Sequence, residues 1–298
     1  MAVLEVRDLC KNFGSKTVLD GLSFSVNEGS IFGFIGRNGA GKTTTMRIIL
    51  GLLQADSGEV TVCGEKVRYG STPTNKFIGY LPDVPEFYSY MTAKEYMKLC
   101  GEITGMKQSD IKTRSDELLE LVGLAQEKHR IKGYSRGMRQ RLGIAQALIN
   151  RPKLLICDEP TSALDPVGRK EILEIIRSAK GETSVIFSTH ILSDVERICD
   201  DMAILEKGKT ALSGTVSELK AKRSGSDLVT VFSNETDAAN AASVLGGVHQ
   251  GCLVIIANAS QEVLFSTLAK ISEKKLPIVK VEHTEPDLEQ LFMEVIGK

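Results

Sequence analysis

The sequence predicts an α/β protein: a mainly parallel sheet wound with helices, an antiparallel β part ahead of it, a helical subdomain within it, and a small α+β unit at the C-terminal end. Three observations lead there. From Lys153 onward, short apolar runs alternate with helical patterns, the rhythm of strands joined by crossover helices. Ile31–Ile35 is an apolar run that breaks into glycine at Gly36, with a helical pattern starting near Gly41. Lys220–Asp227 is polar with a Gly-Ser centre, the composition of a linker. These place an α/β domain at 1–220, its helical subdomain at about 84–150, and an α+β appendage at 228–298.

Each element has its own reason. Residues 2–8 alternate apolar and polar, as a half-buried strand does. Leu22–Val26 is expected as a second strand, set off by turn signals at Asp20-Gly21 and Glu28-Gly29. Strands near Gly58–Cys63 and Phe77–Leu81 precede helices at Thr92–Thr104 and Ser109–Val122, each opened by a Thr or Ser cap. Ser135 caps a helix running toward Asn150, with Met138, Leu142, Ala145 and Ile149 on one stripe and Pro152 beyond. Then come strand Leu154–Cys157, helix Val167–Ala179, strand Ser184–Phe187, helix Leu192–Cys199 and strand Met202–Leu205. The appendage reads as strand Leu228–Phe232, helix Thr236–Leu245, strands near Val248 and at Leu253–Ile256, helix Ser260–Ile271, strand Ile278–Val281 and helix Asp287–Ile296. Cys252–Ala257 is expected to be buried.

Composition removes several classes. The chain has 298 residues, 42% hydrophobic and 25% charged, without an apolar run near the eighteen or so that span a bilayer. Met1-Ala2-Val3-Leu4-Glu5 meets acid at once, so no secretory signal is expected. With 37 basic and 38 acidic residues there is no polycation to hold nucleic acid. The six cysteines form no C-x-x-C pair and read as small hydrophobes.

Two motifs carry chemistry. Gly36-Arg37-Asn38-Gly39-Ala40-Gly41-Lys42-Thr43-Thr44 fits G-x-x-x-x-G-K-[ST] between a strand and a helix. Glycines let backbone N–H groups wrap a phosphate, and the helix N-terminus adds a positive dipole end. Candidate phosphate-binding positions are therefore Gly36, Asn38, Gly39, Ala40, Gly41, Lys42, Thr43 and Thr44. Lys42 can reach β- and γ-phosphates, and the Thr43 hydroxyl can ligate Mg²⁺. The bland alternative is a glycine-rich turn without a ligand. In Leu154-Leu155-Ile156-Cys157-Asp158-Glu159 an apolar strand ends in two carboxylates at the sheet edge where ligands collect. Asp158 suits Mg²⁺, and Glu159 suits polarising an attacking water.

With these motifs, residues 1–220 resemble the ATP-binding subunit of an ABC transporter. Tyr134-Ser135-Arg136-Gly137-Met138 stands at the place of that family's L-S-G-G-Q signature, Ser162-Ala163-Leu164-Asp165 resembles its D-loop, and Ser188-Thr189-His190 its switch histidine. Phe13 matches the aromatic that stacks on adenine. The resemblance implies a P-loop ABC ATPase core that binds ATP and Mg²⁺, with Lys42, Glu159 and His190 catalytic. It implies two chains paired head to tail, with Ser135 and Gly137 offered to the γ-phosphate held by the other chain. It also implies a separate membrane permease, a place on the cytoplasmic face of the membrane, and no nucleic-acid partner. Two departures stand out. Arg136 and Met138 replace Gly and Gln of the signature, and Asp83 replaces the Q-loop glutamine, so a metal role for Asp83 competes with a plain Pro-Asp turn.

Aromatic residues crowd the segment after Asp83. Phe87, Tyr88 and Tyr90 fall in a loop where the family's permease docks, and are expected to line that contact. The ending Glu285-Pro286-Asp287-Leu288-Glu289-Gln290-Leu291-Phe292 resembles the tail of bacterial subunits serving exporters, and the appendage suits dimer contact or regulation. The alternatives are a soluble ATPase of the same type, in translation or DNA repair, and a nucleotide-sensing regulator with low turnover. Doubled cassettes, long coiled-coil insertions and zinc-spaced cysteines, which would favour the soluble class, do not occur in the sequence.

Overall fold

A six-stranded sheet organises the first part of the chain. The structure, a computed structural model, describes residues 1–70, 73–222, 227–257, 259–284 and 288–296. It divides into two units, Met1–Val216 and Ser217–Lys298. In the first unit β1 (Ala2–Phe13) and β2 (Lys16–Asn27) form a long hairpin. β3 (Ile31–Gly36) runs into α1 (Lys42–Ile49), and β4 (Ser57–Val62) and β5 (Glu65–Lys66) complete an antiparallel sheet of order β2-β1-β4-β5. After β6 (Ile78–Leu81) come the helices α2 (Ala93–Ile103), α3 (Gln108–Leu121) and α4 (Arg136–Leu148). β7 (Leu154–Asp158), α5 (Pro166–Ala179), β8 (Ser184–Thr189), α6 (Leu192–Ile198), β9 (Asp201–Glu206) and β10 (Lys209–Thr215) finish the unit. The six-stranded sheet has order β10-β9-β3-β8-β7-β6. Its strands are parallel except β10, which pairs antiparallel with β9 at the edge.

Every residue of β3, β7 and β8 is buried. That is the pattern of central strands covered on both faces, and it explains their unbroken apolar character. Phe24 of the antiparallel sheet stacks on Phe32 and Phe34 of β3, with ring centroids 5.5 and 4.9 Å apart, joining the two sheets in one core. The α/β fold class with a mainly parallel sheet is as the sequence predicts.

Several local expectations are corrected. Asp20-Gly21 is not a turn. β2 continues through it, and the register against β1 slips by one residue between Leu9↔Leu22 and Lys11↔Leu19, so a bulge absorbs Gly21 at φ 75°. Thr92 does cap α2, in a reciprocal box with Glu95. Ser109, in contrast, lies inside α3, whose cap position is Lys107 with no side-chain bond. β10 and α7 (Val216–Lys222) have no counterpart in the sequence reading. α7 occupies the first part of the expected linker, and 223–226 lie outside the described residues.

The second unit holds β11 (Asp227–Phe232), α8 (Glu235–Leu245), β12 (Val248–Gln250), β13 (Leu253–Ile256), α9 (Gln261–Lys274), β14 (Ile278–Thr284) and α10 (Leu288–Ile296). Its sheet is antiparallel, of order β12-β13-β11-β14. Phe232, Ala238, Ala241, Leu245, Val254 and Ile271 form its core. Within the segment expected to be buried only Val254 is fully so, and Cys252 is exposed. Glu285, Pro286 and Asp287 of the tail motif lie outside the described residues. Among the described residues no helix is long and apolar enough to cross a membrane.

One close approach fixes the helical part of the first unit to the sheet. A Cβ added at Gly79 on β6 would collide with the Ala147 carbonyl of α4, which is backbone and cannot swing aside. Gly79→Ala is therefore expected to destabilise the protein by about 1–3 kcal/mol. A lowered midpoint in urea denaturation followed by circular dichroism checks this, and an unchanged midpoint contradicts the contact.

Candidate functional site

The strand ends line up because the parallel register aligns them. Ile35 of β3 pairs with Thr189 of β8, and Asp158 of β7 pairs with Ser188 of the same strand. Gly36, Asp158 and Thr189 thus finish at one edge, with β8 between the other two strands.

Gly36 is packed too closely for a side chain: a Cβ there would stand 2.8 Å from the Leu205 carbonyl and 3.1 Å from the Ala40 Cβ. Gly39 and Gly41 take left-handed φ of 84° and 113°, conformations that favour glycine. Gly41 sits at the N-cap of α1 without a side-chain cap bond, so the first N–H groups of the helix remain for an anion. Arg37, Asn38, Gly39 and Thr43 are exposed, Ala40 and Thr44 half-buried. Lys42 opens α1 and is buried, its Nζ donating to the Gly36 carbonyl at 2.7 Å.

Asp158 is buried at the end of β7, and Ser188 Oγ donates to its Oδ1 at 2.6 Å. The next residue leaves the strand sharply. Glu159 has φ 49°, and its N–H is shared between Ser188 O at 3.1 Å and Ser188 Oγ at 3.0 Å. A left-handed non-glycine residue is held by its surroundings at a cost of about 1–3 kcal/mol. The conformation carries the Glu159 carboxylate to Lys42 and His190. Oε1 lies 3.1 Å from Lys42 Nζ, outside hydrogen-bond geometry, and Oε2 is 2.8 Å from His190 Nδ1. With Glu159 ionised, Nδ1 must carry the hydrogen, and in the neutral ring Nε2 is then the acceptor. The His190 side chain is 46% exposed, so this acceptor can be reached from solvent. The arrangement places a cation, a carboxylate and an imidazole in contact at the mouth of the phosphate loop, the parts needed to bind phosphate and accept a proton from water.

Other sequence candidates stand around this centre. Asp83 follows β6, with Oδ1 3.7 Å from Arg136 Nη2. Burial pushes its carboxyl up from the usual range, and Asp158 and Glu159 add to that, while Arg136 and a Ser162 hydrogen bond oppose it. Ser135 caps α4, accepting from Met138 N at 3.2 Å, and Gly137 opens into free space apart from Leu164 Cδ2 at 4.0 Å from an added Cβ. Asp165 caps α5 through Gly168 N at 3.0 Å. Phe13 is half-exposed at the end of β1, with Lys11 Nζ 5.4 Å from its ring centre. Tyr88 and Tyr90 are exposed with rings 5.9 Å apart, whereas Phe87 is half-buried edge-on against Tyr96, a core residue. All six cysteines are free, and burial pushes the Cys157 and Cys199 thiols well up, which leaves them unreactive.

Residues that the motifs did not single out complete the scaffold. Ser188 joins both carboxylate positions. Asp194, also buried, accepts from Thr161 Oγ1 at 2.8 Å and from Arg169 Nη2 at 2.7 Å, tying the segment after Glu159 to α5 and α6. Neither could be found by spacing, because each depends on which strands and helices become neighbours. Among the described residues no three His, Cys, Asp or Glu side chains are grouped to enclose a metal. Thr43 and Asp158 offer oxygen donors, which fits a hard cation that takes its remaining oxygens from phosphate and water, as Mg²⁺ does.

Ser188→Ala leaves a buried carboxylate without its hydroxyl donor. The expected loss is about 1–3 kcal/mol of stability, larger than for an exposed serine. Thermal denaturation beside an exposed-site control such as Ser178→Ala would test it, and equal small shifts would refute the role given to Ser188.

The family model described as ABC transporter matches residues 19–162. Several relatives align along nearly the whole chain. The bacitracin transport ATP-binding protein BcrA of Bacillus licheniformis is 36% identical over 99% of this chain and 97% of its own length. The Nod factor export ATP-binding protein I of Ralstonia nicotianae is 33% identical over 99% of this chain and 94% of its own. A solved structure described as the ATP binding subunit of an ABC transporter superposes with a TM-score of 0.66 at 31% identity, covering 74% of this chain and 92% of that one. The chain belongs to the ABC transporter family as one of its ATP-binding subunits, an ATPase of the kind that drives transport.

Proposed function

We propose that this subunit hydrolyses ATP to energise a separate membrane permease, in the direction of export, from the cytoplasmic face of the membrane. The observation that carries the catalytic part is Glu159, held 3.1 Å from Lys42 and 2.8 Å from His190 beside the phosphate loop. In this reading the loop from Gly36 to Thr44 cradles the phosphates and Lys42 turns to the γ-phosphate. Glu159 takes a proton from the attacking water, and His190, bonded to Glu159 through Nδ1, orients that water. Phe13 carries the adenine. Thr43 and Asp158 would hold Mg²⁺, which when bound neutralises charge on the transferred phosphoryl group.

A second copy of the chain completes the site. Ser135 and Gly137 stand at an exposed helix N-terminus with a hydroxyl and open backbone, chemistry suited to an anion held by another protomer. Asp165, capping α5, serves as the D-loop residue. The permease meets the loop bearing Tyr88 and Tyr90, with Phe87 anchoring that loop on Tyr96. Export is favoured by full-length similarity to a relative named for Nod factor export, and the appendage is assigned to dimer contact or regulation.

Glu159→Gln keeps the shape of the side chain and removes the base. It is expected to lower turnover by about 10²–10⁴-fold while leaving ATP affinity within about twofold. Phosphate release and binding of a fluorescent ATP analogue measure both, and undiminished release would remove Glu159 from the chemistry. The double variant Tyr88→Ala/Tyr90→Ala should bind ATP normally and lose transport in membranes containing the permease. Lost nucleotide binding would instead make these residues part of the core.

A further inference from the structure

Two of the three residues that depart from the family pattern, Asp83 and Arg136, are far apart in sequence and meet in space. Arg136 Nη2 lies 3.7 Å from Asp83 Oδ1. One turn further along the same face of α4, the buried Gln140 donates from Nε2 to the Asp83 carbonyl at 3.4 Å. The first turns of α4 thus address Asp83 twice, at its backbone and at its carboxylate. Asp83 Oδ1 has no hydrogen-bond partner, so the arginine acts on it as a charge at short range and not as a fixed donor.

The charges make sense only together. Asp83 stands near Asp158 and Glu159 and interacts with both. A third carboxylate beside a loop that takes triphosphate repels the ligand unless it is balanced. Lys42, the buried cation of the loop, is already engaged with Glu159 and Gly36. Arg136 is the cation that faces Asp83, and it sits directly after Ser135.

Resting on the nucleotide-binding reading above, we propose that Arg136 is a positioning residue for Asp83: it neutralises and aims that carboxylate, so that the acid and the arginine work as one unit linking the phosphate site to the start of α4. The charge of Asp83 is tolerated because of Arg136 and serves no metal-binding purpose of its own.

A double-mutant cycle with neutral replacements tests this, read by binding of a fluorescent ATP analogue in the presence of Mg²⁺. Arg136→Gln is expected to weaken binding about threefold or more, and Asp83→Asn/Arg136→Gln to return it to within about twofold of the unmodified protein. Arg136→Lys, which keeps the charge, should retain most of the affinity. Because both side chains are about half exposed, melting temperatures should stay the same, which separates positioning from folding. Losses that simply add in the double variant overturn the pairing, as does weak binding by Asp83→Asn alone, which would make Asp83 a ligand. If the unmodified protein fails to bind the analogue, the nucleotide-binding reading falls and the proposal falls with it. An additive cycle on a protein that binds well sinks only the pair.

Discussion

The site depends on one short hydrogen bond, from Ser188 Oγ to Asp158 Oδ1 at 2.6 Å, between the ends of two buried strands. A carboxylate this deeply buried needs a donor, or its desolvation is uncompensated. The serine supplies it and, through the same oxygen and its own carbonyl, accepts the Glu159 N–H. That second interaction holds Glu159 in the left-handed region, where its side chain leaves the line of the strand. Without the turn, the alternation of a β-strand would send Glu159 away from Asp158, across the sheet from it. The reactive geometry therefore begins as a solution to a burial problem.

Parallel topology does the rest. The loop at 36–42, the carboxylates at 158–159 and the imidazole at 190 are separated by long stretches of chain. They converge because β3, β8 and β7 are neighbours in that order and all point the same way. Lys42 reaches Glu159 past the end of the intervening strand, and His190 continues that strand into the gap. An antiparallel partner between β3 and β7 would place a strand beginning there, without the histidine.

Much of this is legible in the sequence, and the division has physical causes. Lys42, Asp158 and Glu159 can be read because phosphate and metal chemistry fix residue types at fixed spacing in a strand–loop–helix context. The caps Thr92 and Ser135 can be read because their interactions lie within four residues. Ser188 could be seen only as the residue before Thr189-His190, since its role needs the register of β7 on β8. The bulge at Asp20-Gly21 resembles a turn because glycine serves both, and only pairing with β1 distinguishes them. β10, a seven-residue edge strand whose exposure alternates, has only Ala211 and Leu212 as apolar side chains and so lacks the apolar run that reveals β7. Arg136 and Asp83 are visible as oddities in sequence, but not as partners.

The tightness of contacts also differs along α4 in a way that bears on function. Its C-terminal end is fixed by the backbone approach of Gly79 to Ala147 and by the buried Arg114, whose guanidinium donates to the Leu148 carbonyl at 3.3 Å and to Glu182 at 3.0 Å. At its first turns, beside the buried Leu142, the polar contacts are a long one from Gln140 and two ion pairs, Arg136–Asp83 and Arg141–Glu171, each at 3.7 Å and worth only about 0–1 kcal/mol. The free energy available when a triphosphate binds exceeds that easily. That lightly tied end carries Ser135 and Gly137. In the proposed pairing of two chains, the segment offered to the other protomer is thus the more lightly held one, while the carboxylates are held by the buried serine.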